Sequence, residues 1–449
     1  MKELKTVVDN LIGFFGIEDV GYLGDKLKEI LFSEEKEQIF DKYIDIVEDL
    51  DIDWLQKIYQ YYKSNREDFK QDYTPQSLSS CLAQLLYFKG ANTVYDACSG
   101  SGSLVVELHR LDNDLKFHCQ ELDGNVIPFL LFNLSIRNIE AVVIRGDILA
   151  GVQYEVYRLE KGSKYSSIKL SSDNFILGEY DIVTSNPPFN LKGLEFKNTD
   201  GFVLPVKKSS NAFFVLHCLK HCKHKAGIIL PTGFITSQQK EDLGLRQYLI
   251  TNNLLNSSIS CPGKFFESTP VNTTILYIDR DKTIDDFVLL NTDDICTPWV
   301  RKQRGQFGGA AHTNRVYEKT FNKYSDEDIK TILDIVVNRK ELKEKSMVVH
   351  KEDLGEKHWS FSAGQYFPLE LPTITVEEYN NGLSECIGLV EEMNRDFIKN
   401  TVQFLDGYLS DISYMDEAGF VAFVGKQNET LVQLRTELIG LLFNEIVEI

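Results

Sequence analysis

The spacing of apolar positions changes twice along these 449 residues. In residues 1–65 the groups Leu11, Phe14, Phe15 and Leu27, Ile30, Leu31 recur at helical intervals, which predicts a small helical N-terminal cap. From 66 to 285, short apolar runs of strand character alternate with helical patterns. Thr93-Val94-Tyr95-Asp96, Lys116-Phe117-His118-Cys119-Gln120, Ala141-Val142-Val143-Ile144 and Tyr180-Asp181-Ile182-Val183-Thr184 predict strands, and Leu104-Val105-Val106-Glu107-Leu108 predicts a helix. Such alternation implies an α/β core, a mostly parallel sheet with helices on both faces. Residues 286–370 are mixed, with a glycine-containing stretch and a charged helix around Asp326 to Lys345, and read as an extension across that core. Helical spacing returns in 371–449, at Leu389, Met393, Phe397 and Val402, then at Leu431, Leu434, Leu438, Leu441 and Leu442. This last region either packs as a tail on its own core or binds a partner.

Chemistry gathers where the predicted strands end. The run to Thr184 leads into Asn186-Pro187-Pro188-Phe189. An exocyclic amine on an adenine is a poor nucleophile because its lone pair is delocalised into the ring, so it must be held and polarised. The Asn186 side-chain carbonyl and the Pro187 main-chain carbonyl each suit one amine hydrogen, favouring a tetrahedral nitrogen whose lone pair faces a methyl donor. The prolines fix their φ angles and donate no amide, while Phe189 offers a face for a planar base. An isolated Asn-Pro-Pro is also an ordinary proline turn, so its neighbours decide. Upstream, Asp96 runs into Ala97-Cys98-Ser99-Gly100-Ser101-Gly102-Ser103, a glycine-rich strand-to-helix turn whose backbone can approach a ligand beside free helix-terminal amides. Glu121 closes the next strand at the spacing of the acid that grips ribose hydroxyls in doubly wound folds. Asp147, after Gly146, is placed to accept from the amino group of a cofactor adenine. Turn, Glu, Asp and Asn-Pro-Pro-Phe in this order point to an amino-group methyltransferase.

These motifs carry a resemblance. Asp72-Tyr73-Thr74-Pro75, the glycine turn and Asn186-Pro187-Pro188-Phe189 resemble the adenine-specific DNA methyltransferases, and among them the modification (M) subunits of type I restriction-modification systems. Asn211-Ala212-Phe213-Phe214-Val215-Leu216-His217, Gly227-Ile228-Ile229-Leu230-Pro231-Thr232-Gly233, Leu245-Arg246-Gln247-Tyr248-Leu249, Pro262-Gly263-Lys264-Phe265-Phe266 and Ser360-Phe361-Ser362-Ala363-Gly364-Gln365-Tyr366 follow the family's succession of segments. The likeness runs from about residue 66 to about 366. It implies a Rossmann-like core dependent on S-adenosylmethionine, with helical N- and C-terminal additions. Thr74, Pro75, Asp96, Gly100, Ser101, Gly102, Glu121 and Asp147 would contact the cofactor. Asn186, Pro187, Pro188 and Phe189 would hold a DNA adenine rotated out of its duplex, for direct transfer to N6 without a covalent enzyme intermediate. The implied partners are double-stranded DNA, a specificity (S) subunit met by the C-terminal helices, and in a complete assembly a restriction (R) subunit and a second M subunit. Three departures stand out: Ala97 where the family commonly has proline, Ser99 and Ser103 beside the glycines, and an N-terminal segment shorter than usual.

Charge sharpens the picture. Lys and Arg number 48 against 67 Asp and Glu, a net charge of -19, which suits a polyanionic duplex poorly. A local basic strip or a partner must therefore supply the grip. The candidates are Lys192, Lys197, Lys207 and Lys208, and Arg301, Lys302, Arg304 and Arg315 around Gly305-Gln306-Phe307-Gly308-Gly309; each reads more readily as a solvated loop. No run approaches the ~18 apolar residues of a membrane span, and Met1-Lys2-Glu3-Leu4-Lys5 opens no signal peptide, so a cytoplasmic chain without a membrane partner is expected. The eight cysteines are scattered and read as reduced thiols. His217-Cys218-Leu219-Lys220-His221-Cys222-Lys223-His224 places His217/His221 and Cys218/Cys222 at i, i+4 on a predicted helix, a zinc-like spacing. Methyl transfer from a sulfonium needs no Lewis acid, and no metal is expected.

Two rival functions remain at this point. Protein glutamine-amide methyltransferases use a related Asn-Pro-Pro-Tyr; Phe189, Thr74-Pro75 and the long C-terminal region argue against that reading. A non-catalytic scaffold could keep the fold to hold a partner, but Asp96, Glu121, Asp147 and Asn186 are all intact.

Overall fold

The computed structural model describes residues 4–62, 73–266, 271–304, 316–355, 357–367 and 376–412. One sheet of eleven strands is built from β1 Thr93–Asp96, β2 Lys116–Glu121, β3 Ala141–Asp147, β4 Val152–Glu160, β5 Ser167–Ser171, β6 Tyr180–Ser185, β7 Cys222–Pro231, β8 Leu255–Cys261, β9 Thr273–Asp279, β10 Asp286–Asn291 and, beyond a separate hairpin of β11 Thr297–Arg304 and β12 Val316–Lys323, β13 Ser346–His350. Their order is β13-β10-β8-β9-β7-β6-β1-β2-β3-β4-β5. The pairings make β1, β2, β3, β6 and β7 parallel neighbours, and only β4, β9 and β13 oppose the common direction of the described strands.

Each of the four predicted strands is present: β1 has the bounds of its run, and β2, β3 and β6 extend beyond theirs. Their side chains divide between two apolar layers, as the period of a strand requires. Val94, Phe117, Ile182 and Ile229 face one layer; Tyr95, Val183, Ile228 and Leu230 face the other. Helices α1 Leu4–Phe15, α2 Leu23–Leu31, α3 Lys36–Val47, α4 Trp54–Tyr62, α5 Gln76–Leu86, α6 Ser103–Leu111 and α7 Ile127–Ile136 cover the first face. The second carries α8 Ser210–His221, α9 Gly233–Thr236 and α10 Lys240–Thr251. A further helix, α11 Asp326–Asn338, starts at a Ser325/Asp328 capping box and adds Ile329, Ile332 and Ile335 to the first layer.

Burial explains the N-terminal helices. Leu11, Phe15, Leu27, Ile30 and Leu31 are all buried. α7 is apolar all round and buried along its whole length, as a helix enclosed on every side must be. Its Phe132 ring meets Phe40 at 4.7 Å, Tyr43 at 5.1 Å and Phe15 at 6.5 Å, so the cap is fastened by edge-to-face aromatic contacts. One sequence expectation is corrected. α8 ends at His221 and Cys222 opens β7, so Cys218 and Cys222 do not share a helix: the chain leaves α8 with extended geometry at Cys222 (φ -87, ψ 123). All eight cysteines are free thiols.

Residues 368–449 form a second compact unit, in which α12 Val376–Ile412 is one helix of 37 residues. Leu389, Met393 and Phe397 are exposed along it. The Val402 side chain and the stretch holding Leu431 to Leu442 lie outside the described residues. Among the described residues no helix is long and apolar enough to cross a membrane.

Candidate active site

Asp96, Glu121 and Asp147 are the last residues of β1, β2 and β3, and Asn186 follows β6 directly. Strand order reverses between β1 and β6, and a crevice opens at the carboxyl ends of parallel strands where such a reversal occurs. There a cavity of about 1010 Å³, counted to its open mouth, is lined by Thr74, Gly100, Ser101, Glu121, Asp147, Asn186, Pro187, Pro188 and Phe189, with Tyr73 and Gln56 beside them. The remaining sequence candidates do not line it. Asp96 is buried at the floor, Gly102 lies inside the turn, and Pro75 is the N-cap residue of α5.

Backbone geometry shapes the turn after β1. Gly102 has φ +94, and a Cβ there would stand 2.9 Å from Leu130 Cδ1; no other residue fits that conformation without strain. A Cβ on Gly100, at φ +53, would press on the Tyr73 ring at 3.2 Å. The serines that depart from the family pattern close the turn: Ser99 Oγ donates to the Asp96 carbonyl at 2.9 Å, and Ser103 Oγ pairs with Ser79 Oγ at 2.8 Å. Glu121 accepts the Gly100 amide at 2.9 Å through one carboxylate oxygen and the Asp123 amide at 2.8 Å through the other. Burial nonetheless raises its pKa. Asp147 Oδ1 accepts from the Leu149 and Ala150 amides at 2.8 and 3.1 Å.

Asp96 is the exception in this group. Both carboxylate oxygens are buried without a hydrogen-bond partner of ordinary geometry. Burial pushes its pKa up to about 8; the Cys98 amide and Ser99 hydroxyl temper the rise and the Glu121 charge adds to it. Ser101 Oγ is likewise buried and unpartnered. A buried carboxyl at the end of β1 and the acids Glu121 and Asp147 lining the crevice suit a nucleoside that carries positive charge, which is the chemistry of S-adenosylmethionine.

The Asn186 side of the cavity is held from a distance. Asn186 Nδ2 donates to Thr74 Oγ1 at 2.9 Å, which turns the side-chain carbonyl away from Thr74. Gln56 Nε2 donates to the Thr74 carbonyl at 3.2 Å. Beyond the prolines, Asn190 takes φ +52 and pairs reciprocally with Asn211, at 3.3 and 2.9 Å, while the Leu191 amide donates to Ser210 Oγ at 2.9 Å. Phe189 meets Phe266 edge-on at 6.3 Å. On the opposite wall Asn133 Nδ2 reaches both Asp53 Oδ2 at 2.6 Å and the Ser101 carbonyl at 2.9 Å. Gln56, Asp53 and Asn133 gave no signal in the sequence, and Asn211 and Phe266 only as members of resembling segments.

The other sequence candidates sit elsewhere. His217 is buried with Nε2 2.9 Å from the Tyr95 hydroxyl, His221 Nδ1 donates to the Gly178 carbonyl at 2.7 Å, and His224 Nδ1 meets Asp281 at 2.7 Å. Among the described residues no three His, Cys, Asp or Glu converge as a metal site. Lys192, Lys197, Lys207 and Lys208 are exposed, but the amides of Lys207, Lys208 and Ser209 wrap the Glu241 carboxylate at 2.8 to 3.0 Å. That places a negative charge inside the strip.

Strand order β3-β2-β1-β6-β7-β9-β8 with β9 reversed, and acids at successive strand ends, define the fold of S-adenosylmethionine-dependent methyltransferases. The chain belongs to the N-6 DNA methylase family, which matches residues 50–371. It is 24% identical over 411 residues to the type I restriction enzyme MpnII methylase subunit of Mycoplasma pneumoniae, covering 84% of this chain and 68% of that one. With the MjaVIII methylase subunit of Methanocaldococcus jannaschii it shares 23% over 374 residues, 79% of this chain and 58% of the relative. Across five such relatives it spans 52% to 68% of their length. In fold it is similar to the type I restriction-modification system methyltransferase subunit from Streptococcus thermophilus, with a TM-score of 0.54, 18% identity, and coverage of 81% of this chain and 80% of that one.

Proposed function

We propose that this chain is the modification subunit of a type I restriction-modification assembly and transfers a methyl group from S-adenosylmethionine to N6 of an adenine in duplex DNA. The observation that carries the reading is the meeting, in one cavity, of an oriented Asn186 carbonyl and the Phe189 ring with an acid-lined crevice. Thr74, Pro75, Asp96, Gly100, Ser101, Gly102, Glu121 and Asp147 hold the cofactor, which when bound supplies an electrophilic methyl on positive sulfur. Phe189 stacks on the flipped base, and Phe266 supports the ring from its edge. Asn186 Oδ1 and the Pro187 carbonyl accept the two amine hydrogens, drawing the nitrogen toward tetrahedral geometry, and Pro188 keeps the turn rigid. No enzyme nucleophile takes part. Cys98 lines the cavity, but burial and the Glu121 charge hold its thiol protonated, and an inert thiol is compatible with direct transfer.

The remaining parts follow from this reading. Residues 1–65 form a cap, 66–285 the catalytic core, 286–370 an extension of it, and 371–449 a helical region that docks a specificity subunit, with a restriction subunit and a second modification subunit completing the assembly in the cytoplasm. The exposed apolar residues of α12 support a docking role. The test is long-read mapping of N6-methyladenine in cells that express the intact locus, beside the same locus with Asn186→Ala. A bipartite motif methylated only in the wild type is the expected result. Equal methylation in both would refute the assigned role of Asn186, and methylated protein without methylated DNA would move the substrate to a glutamine amide.

A further inference from the structure

The hairpin of β11 and β12 is a basic element in an acidic chain. Residues 297–323 carry Arg301, Lys302, Arg304, Arg315, Lys319 and Lys323 against the single acid Glu318, while the whole chain has a net charge of -19. Among the described residues the two strands pair only with each other and form a sheet of their own. Register places Arg301 opposite Lys319 and Thr297 opposite Lys323, with Trp299 opposite Phe321 between these pairs. Directly opposed residues share a face, so Arg301, Lys319 and Lys323 lie on one side with two aromatic rings. Like charges set opposite one another destabilise a hairpin. Here Arg301 and Lys319 both lie 5.0 Å from the Phe321 ring centre, a cation–π arrangement that lets two cations remain close.

Position gives this charge a purpose. The Asn322 amide donates to the Lys264 carbonyl at 3.0 Å and Asn322 Nδ2 to the Gly263 carbonyl at 2.8 Å. These bonds seat the hairpin base on the loop that carries Phe266, whose ring meets Phe189 at 6.3 Å. Lys264, exposed on the same loop, adds a further cation. A nucleotide turned into the cavity remains joined to its duplex, so the flanking phosphates must pass the cavity mouth. We infer that the β11–β12 hairpin, with Lys264 at its base, is a backbone-phosphate clamp that holds duplex DNA beside the cavity. This rests on the DNA reading above and adds to it: the catalytic chain itself, despite its net charge, supplies part of the grip.

The test uses the full assembly expressed from its locus, with Lys264→Gln/Lys319→Gln/Lys323→Gln in this chain and the triple Lys→Arg variant beside it. Binding of a fluorescent duplex that contains the mapped motif is titrated between about 50 and 200 mM salt. Each phosphate contact contributes about 0.9 to the slope of log affinity against log salt. The Gln variant should flatten that slope by about 2 to 3 and weaken binding at least about tenfold at the lower salt, the Arg variant should keep the wild-type slope, and cofactor affinity by calorimetry should match wild type in both variants. An unchanged slope in the Gln variant overturns the clamp. Loss of subunit assembly with an unchanged slope also overturns it and reassigns the hairpin to a protein interface. If the wild-type assembly binds duplex but never methylates it, the functional reading fails while the slope still decides the clamp; if it binds no duplex, both fail.

Discussion

Glu121 and Asp147 reach the cavity because each ends a parallel strand, as buried Asp96 ends a third, and Gly100 reaches it because the chain must turn there, with Gly102 inside the turn. Asn186 also stands at a strand end, yet its orientation comes from Thr74, 112 positions away in sequence, and its turn is braced by Asn211 and by Phe266 behind Phe189. One wall of the cavity is thus set by backbone geometry close to each residue, the other by side-chain contacts across the fold. A wall of the first kind fails when the backbone is obstructed, and one of the second kind fails when a single remote group is removed.

The largest expected effect comes from obstructing the backbone wall. Gly102→Val forces a β-branched side chain into a left-handed conformation, at roughly 1–2 kcal/mol, and against Leu130, at roughly 1–3 kcal/mol for overpacking. Cofactor affinity measured by calorimetry should fall about 100-fold, a loss of about 2.8 kcal/mol, with a lower Tm. Affinity within twofold of wild type would mean that the turn does not shape this wall.

Removing the remote group tests the other wall with a smaller effect. Thr74→Val keeps the shape and deletes the hydroxyl that receives Asn186 Nδ2. One neutral hydrogen bond contributes about 0.5–1.5 kcal/mol, so kcat should fall about tenfold, with the cofactor affinity changed less than threefold and Thr74→Ser restoring the rate. The opposite pattern, weaker cofactor binding at unchanged kcat, would confine Thr74 to the cofactor contact that the sequence resemblance implies, and would erase the contrast.

The same contrast explains what was legible in the sequence. β1, β2, β3 and β6 announced themselves because buried parallel strands are continuous apolar runs and each ends in a chemically distinctive residue. The flanks did not. β4 buries only Val156, Tyr157 and Leu159 and β5 buries no residue, with Val152, Tyr154 and Leu170 facing solvent, and the insertion of β9 between β7 and β8 is a choice of pairing partner that no local pattern records. The end of α8 was misplaced for a related reason: Cys222 continues the helical spacing, but its pairing with Tyr180 draws it into the sheet. At the site, residues fixed by their own strand end were readable one by one. Gln56, Asp53 and Asn133 were not, because an amide on a helix, or a carboxylate just before one, carries no mark of the distant group that it will meet.

The smallest effect concerns pH and isolates one carboxyl on the backbone wall. Burial first, then the Glu121 charge, raises Asp96 to about 8, against about 3.9 for an unfolded aspartate. The folded chain therefore keeps a proton that the unfolded chain has lost between those values. Its contribution to stability is fully present below about pH 4 and is lost as pH rises through about 8. A cationic ligand reverses the preference, since it favours the carboxylate, so binding near pH 7 should expel a proton and affinity should rise with pH toward 8, by no more than about tenfold per unit. Calorimetry in buffers of different ionisation enthalpy reads the proton count directly. Subtracting the Asp96→Asn titration removes the ligand's own ionisation and that of Glu121, which burial shifts in the same direction. A difference approaching one proton per cofactor would make Asp96 the counter-charge at the floor. No difference would leave it a structural acid beneath the turn, and the backbone wall would then work by shape alone.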